Sequence, residues 1–218
     1  MTVDVKICGI SDSAALDVAI TEGAKYIGFV FYPKSPRNIT PDIAAQLLLN
    51  VPKTVNPVAL VVDPSDELVY IIKSIPTISF IQLHGAEDPQ RVSEIRKRTG
   101  KRIIKAIKVA NPEDLEIVES YISAADMLLF DAKTPTDMIG ALPGGNAVSF
   151  DWKILSGRDW KIPWMLSGGL NSQNVGSAIR VSAAPAVDVS SGVECAPGIK
   201  DGARITEFLR AVQSVGVG

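Results

Sequence analysis

The chain has 218 residues, a length typical of one α/β domain, and we expect residues 1–218 to form a single domain. Lys and Arg total 22 against 24 Asp and Glu, so no basic excess indicates a nucleic acid or an anionic membrane surface as a partner. Apolar residues make up 46% of the chain, yet no uncharged apolar run approaches the roughly 20 residues needed to cross a bilayer.

Cysteine usage and motif content exclude several classes of site. Cys8 and Cys195 lie far apart in the sequence, which argues against a disulfide framework. The sequence contains no CxxC, HExxH, Walker-type phosphate loop or GxGxxG, so it predicts neither a metal site nor a nucleotide site. The first six residues are too short and polar for a signal peptide, and we expect a cytoplasmic location.

The first predicted strand, Val5–Ile10, carries a cysteine and a glycine near its carboxyl end. Its near-continuous apolar residues are typical of a strand buried on both faces of a parallel sheet. Alternation along the strand places Lys6 and Cys8 on the same face. A thiol at the end of a first strand lies where an α/β barrel keeps its chemistry, although a buried structural cysteine is the alternative.

Short apolar strands alternate with helical patterns along the rest of the chain. The predicted strands are Val5–Ile10, Tyr26–Tyr32, Pro57–Asp63, Phe80–His84, Arg102–Val109, Met127–Asp131, Trp164–Ser167 and Ala186–Ser190. The predicted helices are Ser13–Glu22, Pro41–Leu49, Asp66–Ile75, Pro89–Thr99, Pro112–Tyr121, Asp151–Leu155, Ser172–Val181 and Asp201–Val215. A capping side chain followed by proline marks three of the helix starts, at Thr40, Asp88 and Asn111.

This alternation predicts a (β/α)8 TIM barrel. Each βα unit would average about 27 residues, which is compact but feasible for that fold. A doubly wound open sheet is the competing architecture, but it usually has five or six strands and a glycine fingerprint after the first strand. Neither feature fits the sequence, so we expect the barrel.

Polar residues collect at the predicted carboxyl ends of the strands, the face of a barrel where active sites lie. In strand order, these ends carry Cys8 and Gly9, Lys34 and Arg37, Asp63, Gln82 and His84, Asp131 and Lys133, Ser167 to Gly169, and Asp188 to Gly192. His84 is the only histidine of the chain. The fifth strand ends in Val109 and Ala110, which offer no obvious chemistry.

Two groups of small residues follow the last two predicted strands: Gly168 and Gly169 after the seventh, and Ser190, Ser191 and Gly192 after the eighth. Small residues let backbone N–H groups approach a phosphate closely, and a short helix after the eighth strand would point its positive end at the anion. Glycine pairs alone usually mark turns. Their place after strands seven and eight of a barrel predicts a phosphate site.

These features together resemble the phosphoribosylanthranilate isomerases of tryptophan biosynthesis. The resemblance runs in order along nearly the whole chain and rests on KICG, GFVFYPKSPR, QLHG, LLFDAKTP, FDW, LSGGLN and VDVSSGVE. It implies a TIM barrel that performs an Amadori rearrangement of N-(5′-phosphoribosyl)anthranilate without a metal or cofactor. The implied partner is therefore a small phosphosugar–anthranilate substrate.

The resemblance also implies catalytic roles, with Cys8 as general base and Asp131 as general acid. Lys6, on the same strand face as Cys8, would favour the reactive thiolate. For Asp131, the alternative is a structural ion pair with Lys133.

Substrate-binding roles are implied in the same way. Arg37 would bind the anthranilate carboxylate, a task suited to a planar bidentate donor, and Asp188 would lie near the anthranilate amine. A solvated loop charge is the alternative for Arg37. His84 is expected to pack or to support a neighbour rather than to react. We expect Lys34 to be solvated and Cys195 to be inert.

One segment departs from the family pattern. A long loop lies between Lys133 and Phe150, and loops of this length are often lids. The family commonly has a glycine where Ala147 stands, which puts close backbone approach to a ligand there in doubt. Gly144 and Gly145 are the residues that can supply that approach instead.

Three other functions compete with the isomerase. The related sugar isomerase of histidine biosynthesis uses aspartates at the ends of strands one and five, where this chain has Cys8 and Val109-Ala110. Indole-glycerol-phosphate synthase carries an N-terminal extension and a catalytic lysine. A catalytically silent phosphosugar-binding barrel is the third, since a fold does not guarantee activity. The oligomeric state, monomer or homodimer, stays open.

Overall fold

The computed structural model describes residues 2–134 and 143–215 and is built around a closed barrel. Its strands are β1 Asp4–Cys8, β2 Tyr26–Val30, β3 Asn56–Val61, β4 Phe80–Leu83, β5 Arg102–Val109, β6 Met127–Ala132, β7 Trp164–Leu166 and β8 Ala186–Val189. They are parallel and follow one another in chain order, and β1 closes the barrel by pairing with both β2 and β8. The predicted (β/α)8 barrel is confirmed.

Helices connect the strands. They are α1 Ser13–Thr21, α2 Pro41–Leu48, α3 Asp66–Lys73, α4 Pro89–Thr99, α5 Val118–Tyr121, α6 Val175–Ser182 and α7 Gly202–Val215. Capping side chains begin the first four: Asp12, Thr40, Ser65 and Asp88 each accept a hydrogen bond from a backbone N–H of the first turn. In the described part of the chain, no helix combines the length and the apolar character that a membrane span requires.

The structure differs from the predicted elements mainly at their ends. The predicted helix Pro112–Tyr121 is a 3₁₀ turn at Pro112–Leu115 followed by the short α5, and a 3₁₀ turn also covers Trp152–Leu155. Helix α6 begins three residues later than predicted, because the Asn171 side chain accepts from the N–H groups of Gln173 and Asn174 and holds a turn there.

The inward-facing side chains of the barrel change character along its axis. An apolar cluster fills the amino-terminal part and consists of Tyr26, Val58, Phe80, Ile104, Ala106, Met127, Leu129, Met165 and Ala186. Buried polar residues follow toward the carboxyl ends, among them Lys6, Gln82, Asp131 and Asp188. The barrel is therefore a packed core at one end and a polar site at the other.

The chain after β8 contains an element that the sequence did not predict. A 3₁₀ turn, Ser191–Val193, leads into a small antiparallel hairpin of β9 Glu194–Ala196 and β10 Ile199–Lys200. The expected short helix after the eighth strand is therefore only this single turn. The hairpin brings Glu194 and Lys200 to the pocket side of the barrel, where both are buried.

Candidate active site

A pocket of about 780 Å³, open solvent at its mouth included, lies at the carboxyl ends of the strands. The predicted site residues that line it are Cys8, Arg37, His84, Asp131, Gly144, Gly145, Gly168, Gly169, Asp188, Ser190 and Ser191. The predicted residues are thus brought together, apart from Gly192, which does not line the pocket.

Asp131, at the end of β6, is buried among basic and polar groups. Its Oδ2 atom lies 2.7 Å from Lys108 Nζ and 3.0 Å from His84 Nε2, and Oδ1 accepts a hydrogen bond from the N–H of Ala132. Lys133 pairs instead with Asp114, at 2.7 Å, so the alternative of an Asp131–Lys133 ion pair is wrong.

These neighbours set the charges of Asp131 and His84. Burial by itself raises the pKa of Asp131, but the charge of Lys108 and the His84 hydrogen bond overcome burial and lower the pKa to about 2. Burial, together with the charge of Lys108, lowers the pKa of His84 below its ordinary value. At pH 7, Asp131 is consequently a carboxylate and His84 a neutral imidazole.

Cys8 lies at the end of β1, above a fully buried ion pair. Lys6 donates to Asp188 Oδ1 at 2.8 Å, and Ser167 Oγ donates to Asp188 Oδ2 at 3.0 Å. Gly28, the partner of Cys8 on β2, makes room for the thiol and the ammonium. A Cβ at that position would lie 2.8 Å from Cys8 Sγ and 3.1 Å from Lys6 Nζ.

The thiol of Cys8 is the favoured form in this environment. Burial raises the pKa of Cys8; the charge of Lys6 lowers it and the charge of Asp188 raises it again, so that the pKa is raised overall. The expectation that Lys6 favours the thiolate is therefore right in direction but wrong in outcome. Burial is the largest cause of the raised pKa, and Asp188, which is bound to Lys6, opposes the effect of the Lys6 charge.

Arg37 is buried, not solvated, so the alternative of a loop charge is wrong for it. Its Nε and Nη2 atoms donate to the two carboxylate oxygens of Glu194 at 2.7 and 2.9 Å, and Nη2 also reaches the carbonyl of Gly145 at 3.3 Å. Lys200 donates to the same carboxylate at 2.7 Å. This clamp fixes the guanidinium plane and, among the described residues, leaves Nη1 without a hydrogen-bond partner. Lys34 is exposed, as predicted.

The glycine-rich ends of β7 and β8 present free backbone donors. Within the described residues, no backbone carbonyl accepts from the N–H groups of Gly168, Gly169, Ser191 and Gly192. Gly192 is required by packing, since a Cβ there would lie 1.9 Å from the carbonyl oxygen of Leu170. Ser190 is also used internally, because its hydroxyl donates to the carbonyl of Cys8 at 3.0 Å.

Two glycines in the described part of the long loop lie close to side chains on opposite sides of the pocket. A Cβ at Gly144 would lie 2.6 Å from His84 Nε2, and one at Gly145 would lie 2.6 Å from Arg37 Nη1. Ala147 has a φ of +55°, a left-handed conformation that suits the glycine expected there. Residues 135–142, which form half of the predicted lid, lie outside the described residues.

Three functional side chains were missed by sequence reasoning: Lys108, Glu194 and Lys200. Lys108 was not predicted because the residues at the end of the fifth strand, Val109 and Ala110, offer no obvious chemistry. Ile104, Ala106 and Lys108 nevertheless alternate along β5 at intervals of two residues, which places Lys108 on the inward face of the strand. Glu194 and Lys200 face the pocket side only because an irregular hairpin follows β8, and no periodic pattern predicts such a turn.

Comparison with known proteins agrees with this geometry. Residues 5–211 match the model of the family described as N-(5′-phosphoribosyl)anthranilate (PRA) isomerase. The chain is 53% identical over 213 residues to the N-(5′-phosphoribosyl)anthranilate isomerase of Paramagnetospirillum magneticum, with 98% of each chain covered. It is 51% identical over 209 residues to the enzyme of that name from Paracoccus denitrificans, with 96% of each covered.

Solved structures show the same relationship. Phosphoribosyl anthranilate isomerase from Thermotoga maritima superposes with a TM-score of 0.87 at 37% identity, covering 98% of this chain and all of that one. A phosphoribosyl anthranilate isomerase solved in complex with reduced 1-(o-carboxyphenylamino)-1-deoxyribulose 5-phosphate gives a TM-score of 0.84 at 36% identity, again over 98% of this chain and 100% of the other. On sequence and fold alike, this chain belongs to the phosphoribosylanthranilate isomerase family.

Proposed function

We propose that this isomerase converts N-(5′-phosphoribosyl)anthranilate to 1-(2-carboxyphenylamino)-1-deoxyribulose 5-phosphate, with Cys8 as general base and Asp131 as general acid. The observation that carries the proposal is that a thiol and a carboxylate from β1 and β6 line the same pocket. Each lies within reach of a lysine that can stabilise its charged form. The substrate needs one proton delivered and one removed, and the pocket offers one group for each task.

The proposed steps conserve protons. Asp131 gives a proton to the furanose ring oxygen as the bond from that oxygen to C1 breaks, which leaves a Schiff base. The thiolate of Cys8 then removes the proton from C2 to form an enolamine. The enolamine becomes the ketone when its hydroxyl at C2 loses a proton and C1 gains one. The balance closes if the hydroxyl proton returns to Asp131 and the thiol proton goes to C1.

The resting charges are the reverse of those that these steps require. The buried environment favours a thiol at Cys8 and a carboxylate at Asp131, whereas the reaction starts from a thiolate and a carboxylic acid. The pair of thiol and carboxylate carries the same number of protons as the pair of thiolate and carboxylic acid. The ratio of these two states therefore does not change with pH between the two pKa values. The reactive arrangement is then a minor population, and kcat/KM is independent of pH across neutrality.

Two cationic or donor-rich regions anchor the ends of the substrate in this proposal. Arg37, oriented by Glu194, holds the anthranilate carboxylate through its remaining N–H groups. The free N–H groups of Gly169 and Ser191 hold the phosphate. Asp188 faces the anthranilate amine. Binding energy from the phosphate, remote from the reacting carbons, helps to place those carbons between Cys8 and Asp131.

The cytoplasmic location and the oligomeric state remain predictions. The isomerase of Thermotoga maritima is dimeric, and a monomerised form of it superposes on this chain with a TM-score of 0.82. We keep both a monomer and a homodimer as possible states of this chain.

The direct test is conversion of freshly prepared substrate without added metal or cofactor. We expect the anthranilate-adduct fluorescence to fall and a product of unchanged mass to separate from the substrate on chromatography. A sample without enzyme controls for spontaneous hydrolysis, which would release free anthranilate. Binding of the substrate without any such product would instead support the catalytically silent barrel.

A further inference from the structure

Gln82 is a fully buried side chain whose role in the site is unexplained by the steps above. It lies on β4, two residues before His84, and its Nε2 atom is 2.8 Å from His84 Nδ1. Among the described residues, its Oε1 atom has no hydrogen-bond partner. Buried polar groups are nearly always hydrogen-bonded, so an unpartnered amide oxygen beside a proton-handling site requires an explanation.

The orientation of this amide determines which nitrogen of His84 carries the proton. When the amide N–H donates to Nδ1, the neutral ring carries its proton on Nε2 and donates to Asp131, 3.0 Å away. The Nε2–H group of His84 then points at Lys108 Nζ, which lies 2.7 Å from Nε2, so two hydrogen-bond donors face each other. That arrangement stabilises the ionised carboxylate of Asp131.

A half-turn of the amide reverses these assignments. Its oxygen then accepts a hydrogen bond from the Nδ1–H group, and Nε2 of His84 becomes an acceptor. All three N–H groups of Lys108 find acceptors in that state: Asp131, the carbonyl of Pro143 and His84 Nε2. In the orientation observed, the oxygen end of the amide has no partner among the described residues, so the half-turn breaks no hydrogen bond at that end.

In the reversed state, Asp131 faces a lone pair instead of an N–H group. Its Oδ2 atom, 3.0 Å from Nε2, then loses the N–H donor that helps to lower the pKa of Asp131 in the first state. The reversed state thus favours the carboxylic acid. This is the form that a general acid needs at the start of the reaction.

We propose that Gln82 is a positioning residue that selects the tautomer of His84 and, through it, holds the proton on Asp131 for catalysis. The proposal rests on the proposed role of Asp131. Gln82 touches neither the substrate nor the reacting atoms, and acts through the imidazole. His84 in turn donates a hydrogen bond to the carboxylate of Asp131 in one tautomer and withdraws that hydrogen bond in the other.

The single histidine of the chain makes the tautomer measurable. In protein labelled with ¹⁵N-histidine and free of any affinity tag, the nitrogen signals report His84 alone. We expect Nδ1–H in the complex of the natural chain with reduced 1-(o-carboxyphenylamino)-1-deoxyribulose 5-phosphate, and Nε2–H in the same complex of Gln82→Met. The same tautomer in both proteins would overturn the proposal.

Kinetics give a second, independent measurement. Gln82→Met should lower kcat roughly tenfold or more while KM stays within about twofold, because only the proton on Asp131 is affected. Gln82→Glu, which keeps an acceptor toward Nδ1, should recover most of the lost kcat. Equal losses in the two variants would contradict the proposal.

Ser182→Ala is the matched control, because it removes a different buried polar group, a hydroxyl, outside the pocket. It should leave kcat and the His84 tautomer unchanged.

Failure of the proposed function is distinguishable from failure of this inference. An inactive natural chain would refute the isomerase reaction, whereas the tautomer comparison would still show whether Gln82 controls His84.

Discussion

The two sides of the pocket treat a titratable group and its lysine in opposite ways. On one side, Lys108 contacts Asp131 directly and the pKa of the carboxyl falls to about 2. On the other side, Lys6 is bound to Asp188, and the pKa of Cys8 is raised in spite of the lysine. Both lysines are close to the group in question, so proximity alone does not decide its charge.

The difference lies in the other partner of each lysine. Burial is the largest cause that raises the pKa of Cys8, and the lowering effect of the Lys6 charge is opposed by Asp188, which lies 2.8 Å from Lys6. Lys108 has the carboxylate of Asp131 itself as its acidic partner. A lysine near a catalytic group therefore indicates a stabilised anion only when that lysine is not already paired with another anion.

The largest expected effect is on the Cys8 side. Cys8→Ser should lower kcat by at least about 100-fold while binding of the product analogue is retained, because a hydroxyl is a far poorer base than a thiolate. Cys195→Ser is the matched control, since it removes an exposed thiol, and should leave kcat unchanged. Near-normal turnover of Cys8→Ser would exclude Cys8 as the base.

On the Asp131 side, Asp131→Asn should also lower kcat by about 100-fold or more, because the amide keeps the shape but delivers no proton.

The stability of Asp131→Asn should respond to acid differently from that of the natural chain. The folded-state pKa of about 2 lies below the ordinary 3.8, so ionised Asp131 stabilises the fold above about pH 4, and this contribution is lost as the pH falls toward 2.

Urea unfolding at a series of pH values measures this difference. The free energy of unfolding should fall more between pH 4 and 2 in the natural chain than in Asp131→Asn. Parallel curves for the two proteins would show that Lys108 and His84 do not stabilise the carboxylate, and that the contrast between the two sides is wrong.

A smaller effect is expected where the substrate is held rather than transformed. Arg37→Lys should raise KM more than it lowers kcat, because a lysine cannot keep the two-point contact with Glu194 and also offer a planar face to a carboxylate. Lys34→Ala, which removes an exposed cation from the same loop, serves as the control. An unchanged KM in Arg37→Lys would place Arg37 outside the binding site.

The smallest effect concerns the phosphate. Inorganic phosphate should compete with the substrate, and Gly169→Ala should raise its inhibition constant by crowding the backbone donors. A side chain there also meets the backbone of Val148 at 2.9 Å, so strain must be separated from lost binding. Gly157→Ala supplies the comparison: its φ of +70° resembles the +62° of Gly169, but nothing lies within 4 Å. Equal inhibition constants in both variants would exclude this phosphate site.

Much of the fold could be predicted from the sequence because its signals are local. Strand periodicity and capping residues such as Asp88 act over a few residues and survive in the structure. Long-range features could not be predicted in this way. The pairing of Arg37 with Glu194 joins residues far apart in the chain, and the charge of Cys8 depends on which anion binds Lys6.

The most direct measurement concerns Cys8, which should rest as a thiol even though we propose it as the base. In Cys195→Ser, Cys8 is the only thiol of the chain, so the ultraviolet absorbance of the thiolate, followed against pH, reports its ionisation alone. We expect a midpoint above the usual value near 9.0, in an enzyme that is fully active at pH 7. A midpoint below about 7 would contradict it, because Lys6 would then hold Cys8 as a ready-made thiolate.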